Sequence, residues 1–558
     1  MRTLRYGLLL VFLLVASVIL LRTFERSRLH ETPHDRLARL VGGKPATIDL
    51  DRLRGASAAD LYQLGLEYLS MWRVRDAAAI FERSVAADST QHDVWLRLVE
   101  CYADPIIGNE RALSHAVLRA EATVSAPADT LLVYGMQALY EKADYARAIA
   151  LLSRAAREGG SMQEARLQLA LAYYRLGQVG DAQRQLAPLV KDDPTVGRVA
   201  GLSIRCQAAL GHWDRAAREA AELVRLNPEE PVPHVLLAQV ELARDRPAAA
   251  LESAQHALEL DPFCVPAIIT RALLYTQAGD FESARVSYEK LMLFDDVNLA
   301  SVAHEGIAFA DFLAGDFDDG VDEMDEAIRH AMLNGAHRRG LSLASRLVGY
   351  LCQLGRSDAA EGVVERWVTE FGDVPVRLSR ARIQLMRGDV DAGSEALNHL
   401  ATEKEWVLWA RTLSLDSTEL LALADIARQQ QTDALDRLVR DEKERVAVNV
   451  ADADRRTFLA GYAAFEAGNA EMAVKSFVEV RRRLYGLEFP YHGDPVLFVQ
   501  SLFYRGESQL AGGNRAAAKD SYAAFVGYWG DAAWDLDAVA RARQKVETLG
   551  GASAPPQG

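Results

Sequence analysis

One spacing governs what this chain can fold into. Ala148, Ala182, Ala216, Ala250 and Ala284 stand 34 residues apart, and other positions keep the same interval. Ala143, Gly177, Gly211, Asp245 and Gly279 fall five residues earlier, while Leu152, Leu186, Ala220, Ala254 and Tyr288 fall four later. Leu189, Leu223, Ala257 and Leu291 follow three after that, and Pro194, Pro228 and Pro262 end their units. Within a unit, apolar residues recur at i, i+3, i+4 and i+7 in two blocks of about a dozen residues, as amphipathic helices require. Leu169, Ala170 and Tyr173 mark the first helix of one unit; Ala182, Leu186 and Leu189 mark its second. Between the blocks, glycine ends a helix in the left-handed region without steric penalty, and the next residue caps the following helix. Gly279-Asp280, Gly315-Asp316, Gly388-Asp389, Gly468-Asn469 and Gly513-Asn514 all have this form. Small alanines let the paired helices approach, and proline stops the unit because a helix cannot continue through it. Each unit is then a helical hairpin that buries its apolar face only against its neighbours, so the expected fold is an all-α solenoid.

These residues resemble the tetratricopeptide repeat, a 34-residue helix-turn-helix with small residues at its eighth and twentieth positions. Leu64-Gly65, Tyr68, Ala77 and Phe81 carry the same pattern at the amino end. Beyond the regular block the interval stretches: the turns at Gly279, Gly315, Gly355 and Gly388 lie 36, 40 and 33 residues apart. The resemblance implies a right-handed superhelical solenoid of about twelve hairpins between Ala58 and Phe525. The regular array covers 58–296 and irregular units cover 297–400; the stretch 401–450 is helical by pattern but lacks the turn marker. Final units and a closing helix with Val539, Ala542, Val546 and Leu549 occupy 451–549. Within the regular array, Trp95–Thr123 is interrupted by Asp104-Pro105-Ile106-Ile107-Gly108. A polar linker is expected at 36–57, and the Gly/Ala/Pro stretch 550–558 has no periodicity and is expected to be a disordered tail.

Arg2 and Arg5 precede an apolar run from Gly7 to Leu21 that Arg22 closes. As a helix this run spans ~22 Å, short of a ~30 Å hydrocarbon core unless Tyr6 and flanking arginines extend it. The expectation is a single transmembrane helix within 1–35 that acts as an uncleaved membrane anchor. A cleaved signal peptide is the rival, with Val15-Ala16-Ser17 as its cut. Val18-Ile19-Leu20-Leu21 continues the apolar run past that point, where a signal peptide turns polar. Arg22, Arg26, Arg28, Arg36 and Arg39 outnumber Arg2 and Arg5 and lean the body toward the cytoplasm, leaving the side open.

Composition removes several function classes. With 63 basic and 78 acidic side chains the 558-residue chain carries a net charge of −15, the wrong sign for a general nucleic-acid binder. Half of the residues are apolar and a quarter charged, the balance of a folded chain. Cys101, Cys206, Cys264 and Cys352 are too few and scattered for a disulfide framework or a Cys-x-x-Cys site, and read as small buried hydrophobes. Gly42-Gly43-Lys44 is followed by proline rather than a helix-opening Ser or Thr, so it is no phosphate cradle. His304-Glu305 lacks the second histidine of a zinc-binding helix, and Pro33 breaks the helix that would align His30 with His34. Gly340-Leu341-Ser342-Leu343-Ala344 lacks the preceding strand of a nucleophile elbow. No catalytic residue, metal or cofactor is therefore expected. Arg481-Arg482-Arg483 and the long aromatic connection Tyr485-Gly486-Leu487-Glu488-Phe489-Pro490-Tyr491-His492-Gly493 are the irregular surface features.

The resemblance also implies that the first helix of each hairpin lines a concave face where partners bind. Its lining positions give Tyr134, Tyr140, Leu167, Leu171, Tyr174, Leu236, Ile269 and Leu273 as partner-binding candidates. They carry none of the Lys and Asn that clamp a terminal carboxylate, so the fitting ligand is a hydrophobic peptide or an amphipathic helix. The rival reading places these side chains between neighbouring units. The expected function is a non-catalytic, membrane-tethered scaffold whose partners are other proteins and whose role is to assemble or regulate a complex. The alternative is an accessory subunit of a separately encoded envelope or signalling enzyme.

Overall fold

The alanines of the 34-residue comb sit where two helices touch. Ala148, Ala182, Ala216, Ala250 and Ala284 are each 0% exposed, so no larger side chain fits at those crossings. The turn positions five residues earlier are left-handed throughout: Gly177, Gly211 and Gly279 have φ of 84°, 75° and 76°, and Ala143 and Asp245 are held at 50° and 59°. At the amino end, a Cβ on Gly65 would lie 2.3 Å from the Phe81 ring, which is why a bare backbone is needed to seat that ring. In this computed structural model Leu53 and residues 55–550 are described, apart from 71–72, 159–161, 194–196, 401–416, 445–449, 483 and 488–491.

The described residues form 27 α-helices and no strand. Among the described residues each helix packs against the next, giving thirteen hairpins and the closing helix Asp537–Gly550. The stretch without a glycine marker contains one of these hairpins, formed by Ser417–Ala427 and Gln431–Glu444. Gln429 makes its turn at φ 61°, doing with a side chain what glycine does elsewhere.

The interruption at 104–108 has a structural role. Asn298, 1% exposed, donates through Nδ2 to the carbonyls of Pro105 at 2.8 Å and Ile106 at 2.7 Å. Asn334 donates to the Ile107 carbonyl at 2.9 Å, and the Arg338 backbone N–H donates to Glu110 at 2.7 Å. Arg75 and Asp296 add an ion pair at 2.8 Å. The superhelix thus brings the first two hairpins against the turn before Val297–Ala314 and the start of His337–Gln353. A second contact closes the other end: the Trp529 indole donates to the Phe312 carbonyl at 3.0 Å, and Trp534 donates to Asp318 at 3.0 Å. Phe317 packs between those two indoles, with ring centroids 5.2 and 5.0 Å away.

The single-pass membrane anchor and membrane location expected from residues 1–35 are corrected. No helix among the described residues is long and apolar enough to cross a membrane. The physical reason is already in the length of the Gly7–Leu21 run, about 8 Å too short for a hydrocarbon core. Residues 1–35, most of the 36–57 linker and nearly all of the 550–558 tail lie outside the described residues.

Candidate functional site

The inner face near the amino end is knotted by charge. The helices His92–Ala103, Met162–Arg175 and Gly197–Ala209 are the first helices of the second, fourth and fifth hairpins. Arg97 donates to Glu100 at 2.6 Å and to Glu164 at 2.5 Å. Arg198 reaches the same two carboxylates, directly to Glu100 and at 3.4 Å to Glu164. Gln168 donates to Glu164 at 2.8 Å and to Glu100 at 2.5 Å, while its carbonyl accepts the Tyr140 hydroxyl at 2.7 Å. Arg97–Glu164, Gln168–Glu100 and Arg198–Glu100 join the second hairpin to the fourth and fifth, beyond its immediate neighbour, while the other links lie within one helix or between adjacent hairpins.

Burial by itself would raise the Glu164 carboxyl, but Arg97 and Arg198 outweigh it and hold the group well below the usual carboxylate range. Burial pushes Glu100 up in spite of Arg198 and Arg97, and pushes the Tyr140 hydroxyl far above its ordinary value. Two guanidinium groups against two carboxylates leave the knot nearly neutral. Removing one member would leave its partners buried and unpaired.

The eight expected groove residues divide by burial. Leu167, Tyr174, Leu236, Ile269 and Leu273 are between 1% and 8% exposed and pack inside the apolar clusters between hairpins. Tyr134, Tyr140 and Leu171 are half-buried. Tyr134 donates to Glu121 at 2.7 Å, Tyr140 belongs to the charge knot, and Leu171 rests on both amino-terminal clusters. Small residues on adjacent helices bring the hairpins so close that most lining positions become inter-repeat core.

After Ala470–Arg482, the described residues 484–487 of the aromatic connection bring an apolar side chain to other hairpins. Leu487, 6% exposed, joins the apolar cluster of Ile204, Val232, Leu236 and Val240 on the fifth and sixth hairpins. Tyr485 and His492 pair as an isolated bridge, and the His492 ring stacks on Phe309 with centroids 4.2 Å apart. Phe489, Pro490 and Tyr491, like the Arg481-Arg482-Arg483 side chains, lie outside the described residues.

All four cysteines are buried, with burial pushing Cys264 up to about 12 and Cys352 up to about 11, so neither is a ready thiolate. One group among the described residues has the donors for a metal: His304, Glu326 and His330. The second histidine that the His304-Glu305 segment lacks comes from the neighbouring helix, 26 residues on, where a search along one helix does not look.

Tetratricopeptide-repeat profiles match residues 139–203 and 500–531. No curated protein matches the sequence. Solved structures similar to this chain include the type IV pilus biogenesis factor PilW, at 18% identity and TM-score 0.27 over 38% of this chain and 96% of that one. A tetratricopeptide repeat protein from Parabacteroides merdae aligns at 14% identity and TM-score 0.31 over 54% and 98%. Yeast Tom70 aligns at 14% identity and TM-score 0.33 over 84% and 98%. Likenesses this distant say nothing about partner or activity. The repeats themselves are secure: residues 139–203 and 500–531 are tetratricopeptide repeats within an all-helical solenoid.

Proposed function

We propose that this protein is a non-catalytic interaction scaffold that binds apolar segments of other proteins on the inner face of its solenoid and thereby assembles or regulates a complex. The observation that carries the reading is the described segment 484–487. Its Leu487 side chain is buried against Ile204, Val232, Leu236 and Val240 of the fifth and sixth hairpins, so this part of the solenoid accepts a chain segment inserted by one apolar side chain. An extended or helical partner segment makes the same kind of contact, with affinity from buried apolar anchors and orientation from the polar rim. The charge knot holds the groove walls at fixed spacing, which lowers the ordering cost of binding.

The test is photo-crosslinking from the full chain in native extracts. A benzophenone amino acid replaces Tyr134 or Leu171 on the inner face, or Leu118, which is 61% exposed on a second helix, as a control. Discrete adducts at the inner positions and not at Leu118 support the reading; equal labelling at all three, or none, overturns it. If an adduct is an enzyme whose activity requires this chain, the accessory-subunit form of the reading is favoured over a passive scaffold.

A further inference from the structure

We infer that His304, Glu326 and His330 form a binding site for a divalent transition metal, zinc by their donor chemistry, that clips the helix Val297–Ala314 to Phe317–Leu333. The donor atoms all lie within 4.8 Å of one another. Ligand atoms around a tetrahedral ion at about 2.0–2.1 Å stand roughly 3.4 Å apart, so closure requires only side-chain rotations. Two imidazoles and one carboxylate are the set that zinc takes when it keeps a fourth position for water or another group.

Three features set this cluster apart from a chance grouping. First, the His304 ring is already oriented, because its Nδ1 is held by Glu323 Oε2 at 2.6 Å, leaving Nε2 for the ion. A carboxylate behind a ligating imidazole is the usual outer support of zinc-binding histidines. Glu323 is itself fixed by Arg285 at 3.0 Å, and Arg285 is anchored on Asp311 at 2.8 and 2.9 Å. Second, the His304 and His330 rings are stacked 12° from parallel with centroids 5.2 Å apart, and His330 Nδ1 is buried with no hydrogen-bond partner. Third, Glu326 and His330 are four apart on one helix and so share a face, with Glu326 Oε2 3.9 Å from His330 Nε2. The competing cation is Arg329, which pairs with Glu326; its side chain is 55% exposed, and an exposed pair of this kind is weak.

The full chain, stripped with chelator and dialysed, is titrated with Zn²⁺ by calorimetry, and bound metal is counted by mass spectrometry of the desalted protein. One equivalent is expected. His330→Ala and Glu326→Gln are expected to remove it. Glu323→Gln, which keeps every ligand, is expected to weaken it by roughly 10–100-fold. Arg329→Ala is expected to tighten it. His256→Ala, at the His234–His256 ring pair with centroids 4.4 Å apart, is the control and is expected to change nothing. Far-ultraviolet circular dichroism checks each variant; where His330→Ala loses helix, Glu323→Gln and Arg329→Ala carry the test. Failure of the full chain to retain zinc, or retention unchanged by Glu323→Gln and Glu326→Gln, overturns the site.

Discussion

Replacing Asn298 by alanine removes two of the hydrogen bonds between the second hairpin and the start of the eighth. The side chain is 1% exposed, and its Nδ2 satisfies the carbonyls of both Pro105 and Ile106. Two neutral hydrogen bonds contribute about 1 kcal/mol each, and buried carbonyls left without donors cost about as much again. Part of that is returned, since Asn298 Oδ1 is itself buried without a partner and disappears with the substitution. The net expectation is a loss of about 2–3 kcal/mol. Asn298→Asp should lose more, because it sets a carboxylate against two carbonyl oxygens. The assay is urea unfolding of the full chain followed by circular dichroism and tryptophan fluorescence. Since the contact spans 193 residues, its loss should also separate the two halves and lower the apparent m-value. Arg75→Ala, at the ion pair with Asp296 across the same closure, should be non-additive with Asn298→Ala. A change below about 0.5 kcal/mol with an unaltered m-value would refute the closure as a stabilising contact.

Further outcomes are expected. Ala143→Gly should stabilise the array by about 1 kcal/mol in the same unfolding assay, because its φ of 50° is strained for a residue with a Cβ. Asp245→Gly should give less, as Gln277 donates to the Asp245 carboxylate at 3.0 Å. Gly306→Ala should destabilise by about 1–3 kcal/mol, because its Cβ would lie 2.2 Å from the buried Tyr288 ring. Gly362→Ala, with nothing within 4 Å, should instead add about 0.5–1 kcal/mol of helix stability. His492 supplies a pH dependence: burial first, and then Arg346 and Arg339, lower it from 6.5 to about 4 against the pull of Glu305. The unfolded chain then takes up a proton that the folded chain refuses, so this stabilisation is whole above pH 6.5 and fades as pH falls toward 4, by about 3 kcal/mol in total. The difference between the parent chain and His492→Gln across pH 7 to 5 should carry that slope; parallel curves would refute the assignment.

The array was readable because its physics is local and periodic. Buried alanines and left-handed turns recur at a fixed interval, and even Ala143 and Asp245 obey the backbone rule of the glycines they replace. Gln429 was not readable, since its side chain gives no hint of a left-handed turn, and the hairpin it joins therefore had no marker. The groove was readable as a set of helix faces and not as a surface. Leu236, Ile269 and Leu273 occupy lining positions, yet how closely neighbouring hairpins approach decides whether such residues meet water or each other. The charge knot escaped because Arg97 and Glu164, like Glu100 and Arg198, pair across hairpins that are not neighbours. His304 and His330 escaped because they face each other across a turn.

What binds the superhelix to itself comes from the segments that break the repeat. In a solenoid each unit touches only its neighbours, and an interruption adds a surface loop without consequence for the whole. Here the interruption at 104–108 supplies the carbonyls that Asn298 and Asn334 hold. The segment 484–487 supplies Leu487 to the apolar cluster of the fifth and sixth hairpins, and the end of the last hairpin supplies Trp529 and Trp534 to the turn around Phe317. Departures from a repeat that packs well by itself cost neighbour contacts, so they persist where they make contacts that no regular unit reaches. The stability of this chain is therefore more than a sum over adjacent hairpins. Distant hairpins are tied directly to one another, the eighth to the second and to the last.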